Sequence, residues 1–107
     1  MTASVAQHEA LHPAIAHIVD RLRELPVVER CILFGSRARG DHDRRADMDL
    51  AIACPAASPA EWARIWSMVD DAPTLLAIDL VRLEEAPEPL RLEIEREGRT
   101  LYERRQT

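Results

Sequence analysis

The chain has 107 residues, of which 47% are hydrophobic and 31% are charged. This length predicts one compact domain, because a second core would need roughly another hundred residues. With 14 basic and 19 acidic residues the formal net charge is −5, which argues against a broad basic surface for RNA or DNA. Every basic residue is arginine, so chemistry that depends on a Walker-loop or Schiff-base lysine is excluded.

Cysteine usage and hydropathy predict a cytoplasmic protein. Cys31 and Cys54 are the two cysteines, each within an apolar run, and we expect two buried thiols rather than a disulfide or metal site. The longest uncharged stretch, residues 50–60, contains Pro55 and Pro59 and is shorter than the ~20 residues of a membrane span. The first residues lack the basic flank of a signal peptide, so we expect none.

The first elements in chain order are a helix and a strand. Apolar residues recur at helical spacing from Pro13 until Pro26 ends the pattern. Residues 27–34 are β-branched and apolar and end at Gly35, which is typical of a buried strand. We expect a short helical turn directly after Gly35.

The middle of the chain predicts two more strands and the helix between them. The strands are residues 48–54 and 75–83. Ser58, Pro59 and Glu61 occupy the N-cap, first and third helical positions, which form a capping box. The helix that they open should continue through residue 69.

The predicted chain ends with a helix and a short extended segment. The helix follows Pro87 and Pro89 and stops at Gly98 as its C′ residue, and residues 100–102 are extended. Strands and helices alternate without repeats. The fold class is therefore α/β or α+β, with a small mixed sheet flanked by helices in a single domain over residues 1–107.

Aromatic and histidine residues have ordinary structural explanations. Trp62 and Trp66 lie one helical turn apart and are expected in the core, although a partly exposed pair would mark a docking surface for another protein. The four histidines have no partner at metal-ligand spacing, so we expect them at the surface or at helix caps.

Three aspartates on two predicted strands form the candidate site. Asp47 and Asp49 are two residues apart at the start of the second strand and should project together. Asp79 lies in the third apolar strand, where an unpaired buried charge would cost several kcal/mol. Three converging carboxylates would repel one another, and one or two hard divalent cations supporting phosphate chemistry would resolve this.

Each aspartate also has a simpler interpretation. Asp47 and Asp49 could be a turn and a solvated strand end. Asp79 could face water on an edge strand, or could pair with Arg82.

The turn before these acids suits an anion. Gly35 lets the backbone pass close to a ligand, and Ser36 begins a helical turn whose N–H groups and hydroxyl can bind phosphate oxygens. Arg37 and Arg39 add positive charge beside the acids. We therefore expect anion and metal sites to share one pocket.

The pattern of Gly35-Ser36, ten residues, and then an Asp-x-Asp at Asp47 and Asp49 resembles the signature of the minimal nucleotidyltransferases, in the DNA polymerase β-like superfamily. The third acid of that family lies on a later strand, which is the place of Asp79. The resemblance covers residues 27–103, a catalytic core preceded by an N-terminal helix in residues 1–26. Ala46 departs from the pattern, because a serine often precedes the first aspartate.

The resemblance implies a polymerase β palm-like fold and transfer of AMP from ATP to a hydroxyl. One Mg²⁺ would be held by Asp47 and Asp49, and a second would lie between these and Asp79. Asp79 would be the general base or the ligand that lowers the pKa of the acceptor.

The resemblance also implies how the phosphates are held. Ser36 and the Gly35 backbone would anchor the β- and γ-phosphates. Arg37 or Arg39 would neutralise the charge of the leaving pyrophosphate.

Similar stand-alone proteins are usually encoded beside an all-helical HEPN ribonuclease toxin and adenylylate one of its tyrosines. The resemblance thus implies an antitoxin that is a protein adenylyltransferase with a HEPN toxin as partner. The alternatives are an antitoxin that neutralises the toxin only by binding, and a nucleotidyltransferase that acts on a small molecule or an RNA 3′ end.

Overall fold

The computed structural model describes residues 12–40 and 47–105, which form a four-stranded sheet with helices packed on both faces. The strands are β1 (Arg30–Phe34), β2 (Met48–Ala53), β3 (Ile78–Arg82) and β4 (Arg99–Glu103). The helices are α1 (Pro13–Leu22), α2 (Ser36–Arg39), α3 (Pro59–Asp70) and α4 (Glu88–Glu97), and a 3₁₀ turn (Leu83–Glu85) precedes α4.

The sheet is mixed, which confirms the predicted fold class. Its strand order is β3-β2-β1-β4, with β2 and β3 parallel and the pairs β1-β2 and β1-β4 antiparallel. The parallel pair is joined through α3, as a parallel connection requires a crossover. Because β3 has a neighbour on one side only, it is an edge strand of this sheet.

Alternation along the strands divides the core into two layers. On β2, Leu50 and Ile52 face the larger layer with α1 and α3, whereas Ala51 and Ala53 face the smaller layer under α4. Asp49 shares the strand parity of Ala51, so it lies on the α4 face of the sheet. That face carries the candidate site.

Helix capping follows the sequence closely. The Ser58 Oγ accepts a 3.1 Å hydrogen bond from the Glu61 N–H, and the Glu61 carboxylate accepts a 2.8 Å bond from the Ser58 N–H. The predicted capping box is therefore confirmed. His12 caps α1 in a comparable way, since its Nδ1 accepts a 3.1 Å bond from the Ala14 N–H.

Strand and helix boundaries depart from prediction where apolar residues lie in turns. The first helix ends at Leu22, because turns bonded through Leu25 and Val28 carry the chain to β1, which begins three residues later than expected. The predicted third strand began at residue 75, but β3 begins at Ile78 and Leu75 is fully exposed. The apolar residues from 75 onward favour a strand, but the first of them belong to a surface loop.

The predicted end of α4 at Gly98 is confirmed, because the helix stops at Glu97. Gly98 is its C-cap residue in an extended conformation with φ −72°, so the predicted C′ position is wrong. The reason for glycine is steric. A Cβ at this position would collide with the Ile94 carbonyl oxygen and with Cγ2 of Ile32.

The expectation that both tryptophans are core residues is wrong for Trp66, which is 51% exposed. Trp62 is half-buried, with the guanidinium of Arg82 5.9 Å from its ring centroid. Arg82 also donates 3.0 Å hydrogen bonds to the carbonyls of Cys54 and Ala57. It thus fixes the loop between β2 and α3.

The expected burial of Cys31 and Cys54 is confirmed, and both thiols are free. Burial raises the pKa of Cys31 to about 12 and that of Cys54 to about 11. Within residues 12–40 and 47–105, no helix is long and apolar enough to cross a membrane.

Candidate functional site

Asp49 and Asp79 lie side by side in the sheet. They are register partners in the parallel pair of β2 and β3, so their side chains project from the same face. The pKa of Asp49 is raised to about 6, chiefly by burial, then by the charge of Asp79 and a hydrogen bond between the two carboxyl groups, and last by the charges of Asp47 and Glu93. Every group that acts on Asp49 therefore disfavours its charged form.

Asp79 is exposed, so it is not a buried charge, and the alternative that it faces water on an edge strand is confirmed. Because β3 is an edge strand, no further strand of this sheet covers Asp79 on the side away from β2. Arg82 forms its ion pairs with Glu84 and Glu85, at 3.6 Å each. Asp79 instead faces Asp49.

Asp47 is exposed and directly precedes β2, whose first residue is Met48. It is close enough for its charge to raise the pKa of Asp49. In the part of the chain that the structure describes, no three Asp, Glu, His or Cys side chains are grouped to hold one metal ion. The structure thus joins Asp49 to Asp79, while a shared ligand set that includes Asp47 stays a prediction.

The chemistry of the carboxylate pair fits a hard divalent cation. Its donors are carboxylate oxygens, which Mg²⁺ prefers. Burial and the charge of Asp79 both disfavour the ionised form of Asp49, as its raised pKa shows. A bound cation would offset both effects.

Gly35 brings the chain directly over this pair. Its φ of 76° and ψ of −157° belong to a region that is open essentially to glycine alone. A Cβ at Gly35 would overlap Oδ2 of Asp49 and lie 3.2 Å from its Cγ. Phe34, the preceding residue, is the register partner of Asp49 in β1. The Gly35 backbone is therefore packed against the carboxylate.

One turn of helix follows Gly35. The Gly35 carbonyl accepts 3.1 Å hydrogen bonds from the N–H groups of Ala38 and Arg39, and Gly40 closes the turn in a left-handed conformation. Ser36 is half-buried at the first position of this helix. The predicted phosphate-binding residues Gly35 and Ser36 thus adjoin Asp49, although their role as phosphate ligands stays a prediction.

Arg37 and Arg39 lie on the same one-turn helix. Nη1 of Arg39 is 3.5 Å from Oε1 of Glu97, at the end of α4. Residues 41–46, which include Ala46, lie outside the described residues.

The sequence interpretation missed two acids on α4. The charge of Glu93 helps to raise the pKa of Asp49, and the carboxylate of Glu97 accepts a hydrogen bond from Arg39. Their spacing of four residues puts both on one helix face, and this was the available signal.

The Asp49–Asp79 pair, with the Gly35 turn packed against Asp49, agrees with the class of nucleotidyl-transferring proteins that the sequence predicts. Residues 16–107 match the family model described as polymerase beta, nucleotidyltransferase. The chain therefore belongs to the polymerase β nucleotidyltransferase family. The predicted superfamily and fold are confirmed.

Solved structures show the same fold. A toxin-antitoxin with AMP-PNP matches with 23% identity and a TM-score of 0.59 over 85% of this chain and 72% of the matched one. A tri-AMPylated Shewanella oneidensis HEPN toxin in complex with MNT antitoxin matches with 23% identity and a TM-score of 0.57 over 85% and 71%. A protein of Sulfolobus solfataricus, described as a nucleotidyltransferase, matches with 16% identity and a TM-score of 0.59 over 97% and 90%. Among curated proteins, none matches this chain.

Proposed function

We propose that this protein transfers AMP from ATP to a tyrosine hydroxyl of a partner HEPN toxin, and so acts as an antitoxin. The observation that carries the proposal is the Asp49–Asp79 pair packed under the Gly35 turn. Family membership supports nucleotidyl transfer. The fold is shared with complexes described as holding AMP-PNP or a tri-AMPylated HEPN toxin, which supports the nucleotide and the partner.

Asp49 and Asp79, together with Asp47, would hold Mg²⁺. When bound, Mg²⁺ neutralises the triphosphate and makes the acceptor hydroxyl easier to deprotonate. Asp49 is half-buried against Gly35, so it is the fixed member of the set.

Asp79 would act on the acceptor hydroxyl. It is exposed on an edge strand, so a hydroxyl on another protein can reach it from solvent. Asp79 takes the proton as the hydroxyl oxygen bonds to the α-phosphorus, and the bond to the bridging oxygen of the β-phosphate breaks. Pyrophosphate leaves.

The Gly35 turn would hold the leaving group. A backbone without a Cβ permits close approach, and the Ser36 hydroxyl donates to a phosphate oxygen. Arg37 and Arg39 offset the charge that accumulates on the pyrophosphate. The anion and cation sites would adjoin, since the Gly35 backbone is packed against the Asp49 carboxylate.

The test is to incubate the protein with a purified HEPN toxin, ATP and Mg²⁺ and to measure the intact mass of the toxin. We expect mass increments of one or more adenylyl groups with the wild type and none with Asp49→Asn or Asp79→Asn. Asp70→Asn, an exposed acid on α3, is the control and should retain activity. An unmodified toxin in a stable complex with the wild type would contradict the proposal.

Neutralisation by binding alone is the second candidate. The observation in its favour is that the described residues group no three metal-ligating side chains. An Asp47→Ala, Asp49→Ala double variant distinguishes the two, because a binder would still protect cells that express the toxin. Activity on RNA or a small molecule without any partner protein would support the third possibility.

A further inference from the structure

An ion pair links the turn of the candidate site to the far end of the chain. Nη1 of Arg39, on α2, lies 3.5 Å from Oε1 of Glu97, the last residue of α4. The two residues are separated by 58 positions in sequence, so the contact is purely tertiary. Both side chains are partly exposed, at 42% and 34%. Glu97 also lies 3.9 Å from Nη2 of its neighbour Arg96.

The backbone fixes the place of Glu97. The Gly98 N–H donates a 2.8 Å hydrogen bond to the Ile94 carbonyl, which closes the last turn of α4. There is no room for a Cβ at Gly98, because Cγ2 of Ile32 and the Ile94 carbonyl occupy that space. The end of α4 is thus pressed onto β1, the strand that leads into the Gly35 turn.

The same face of α4 borders the carboxylate pair. Glu93 lies one helical turn before Glu97, and its charge is among those that raise the pKa of Asp49. Because Arg39 lies on the one-turn helix that directly follows Gly35, its pair with Glu97 stands at the rim of the site.

We infer that Glu97 is a positioning residue that holds Arg39 where it meets the phosphates of the nucleotide. The inference rests on the proposed function, in which Arg39 offsets phosphate charge. An arginine side chain loses rotamer freedom when it binds, and a partner that restricts it beforehand reduces that loss at the binding step. Glu97 acts through Arg39 and has no contact with the nucleotide in this account.

The experiment measures binding of ATP with Mg²⁺ to the purified protein by calorimetry, without any acceptor. Glu97→Gln should weaken binding about fivefold, as expected for loss of a partly exposed ion pair. Removing an acid near a triphosphate would by itself tighten binding. A weakening thus has the opposite sign to the simple charge effect.

Glu95→Gln is the matched control. Glu95 lies on the same helix, and its Oε2 is also 3.5 Å from an arginine, Nη2 of Arg30 in β1. Both variants remove one negative charge and one 3.5 Å ion pair to an arginine of another element, and Glu97→Gln also removes the exposed 3.9 Å contact with Arg96. Because exposed ion pairs contribute little to stability, the equilibrium constants of unfolding of the two variants in urea should agree within about twofold. Affinity for ATP should change only with Glu97→Gln.

A double-mutant cycle shows whether Glu97 works through Arg39. Arg39→Gln should weaken ATP binding, and adding Glu97→Gln to it should cause no further loss. Unchanged or tighter binding by Glu97→Gln, or an equal loss in both backgrounds, overturns the positioning role. If the wild type binds no ATP, the proposed function is wrong and the inference is wrong with it. If the wild type binds ATP and Glu97→Gln has no effect on the affinity, only the inference is wrong.

Discussion

Replacing Asp49 by asparagine should stabilise the folded protein in the absence of metal. The pKa of Asp49 is raised from 3.8 to about 6, chiefly by burial and by the charge of Asp79. A shift of about two units corresponds to at most ~3 kcal/mol of unfavourable free energy for the ionised form. Because Asp49 is only half-buried and solvent screens its interactions, we expect a gain of about 1 kcal/mol.

The pH dependence of this gain follows from the direction of the shift. The folded state binds the Asp49 proton more tightly than the unfolded state does, so the stability that this group contributes is complete below about pH 3.8. That contribution is lost as the pH rises through about 6. Asparagine cannot ionise, and its advantage over the wild type should therefore be full at pH 8 and nearly absent at pH 4.

Urea unfolding in EDTA, across this pH range, measures the effect. At pH 8 the free energy of unfolding of Asp49→Asn should be about 1 kcal/mol higher than that of the wild type. This corresponds to a melting temperature about 4 °C higher. Asp20→Asn, which changes an exposed acid on α1, should stay within about 0.5 kcal/mol of the wild type. Equal stability of Asp49→Asn and wild type at pH 8, or a gain of the same size at pH 4, would refute the reasoning.

Three further outcomes are expected. Gly35→Ala should lower the free energy of unfolding in urea by about 2 kcal/mol or more, because the φ of Gly35 is positive and the new Cβ would overlap Asp49. Gly40→Ala also has a positive φ but has open space around its Cβ, so it should cost about 1 kcal/mol. Equal losses in the two variants would contradict the steric argument. Mg²⁺ should raise the melting temperature of the wild type more than that of Asp49→Asn, and an equal rise in both would place the ion elsewhere. Cys31 and Cys54 should resist alkylation at pH 8 until urea unfolds the chain, since burial raises the pKa of both thiols; rapid labelling of the folded protein would show that one is accessible.

The sequence predicts most helices and strands of this fold because the patterns that indicate them are local. The capping box at Ser58 depends on four consecutive residues, and the apolar run of β2 extends over six. Boundaries were less predictable where local and tertiary preferences differ. Leu75 extends an apolar run, yet no neighbouring element covers it and it lies exposed before β3.

The sequence predicted that Gly35, Asp49 and Asp79 belong to one site, but not the geometry that joins them. The spacing of Gly35 and Asp49 indicates a relation between them, but the overlap of a Cβ with the carboxylate depends on the β1-β2 register. The exposure of Asp79 follows from strand order, which the pattern of hydrophobic residues does not encode. The sequence does not indicate that Glu97 lies beside Arg39, because the two residues meet only through the tertiary fold.

The central claim is that the Asp49–Asp79 pair supports transfer of the α-phosphate group of ATP to a protein. The most direct measurement compares ATP radiolabelled at the α-phosphate with ATP radiolabelled at the γ-phosphate, each incubated with the protein, Mg²⁺ and a HEPN toxin. The account predicts that label enters the toxin from the α position alone and that Asp79→Asn prevents it. Label from the γ position, or no label in a toxin that is bound, would contradict the account.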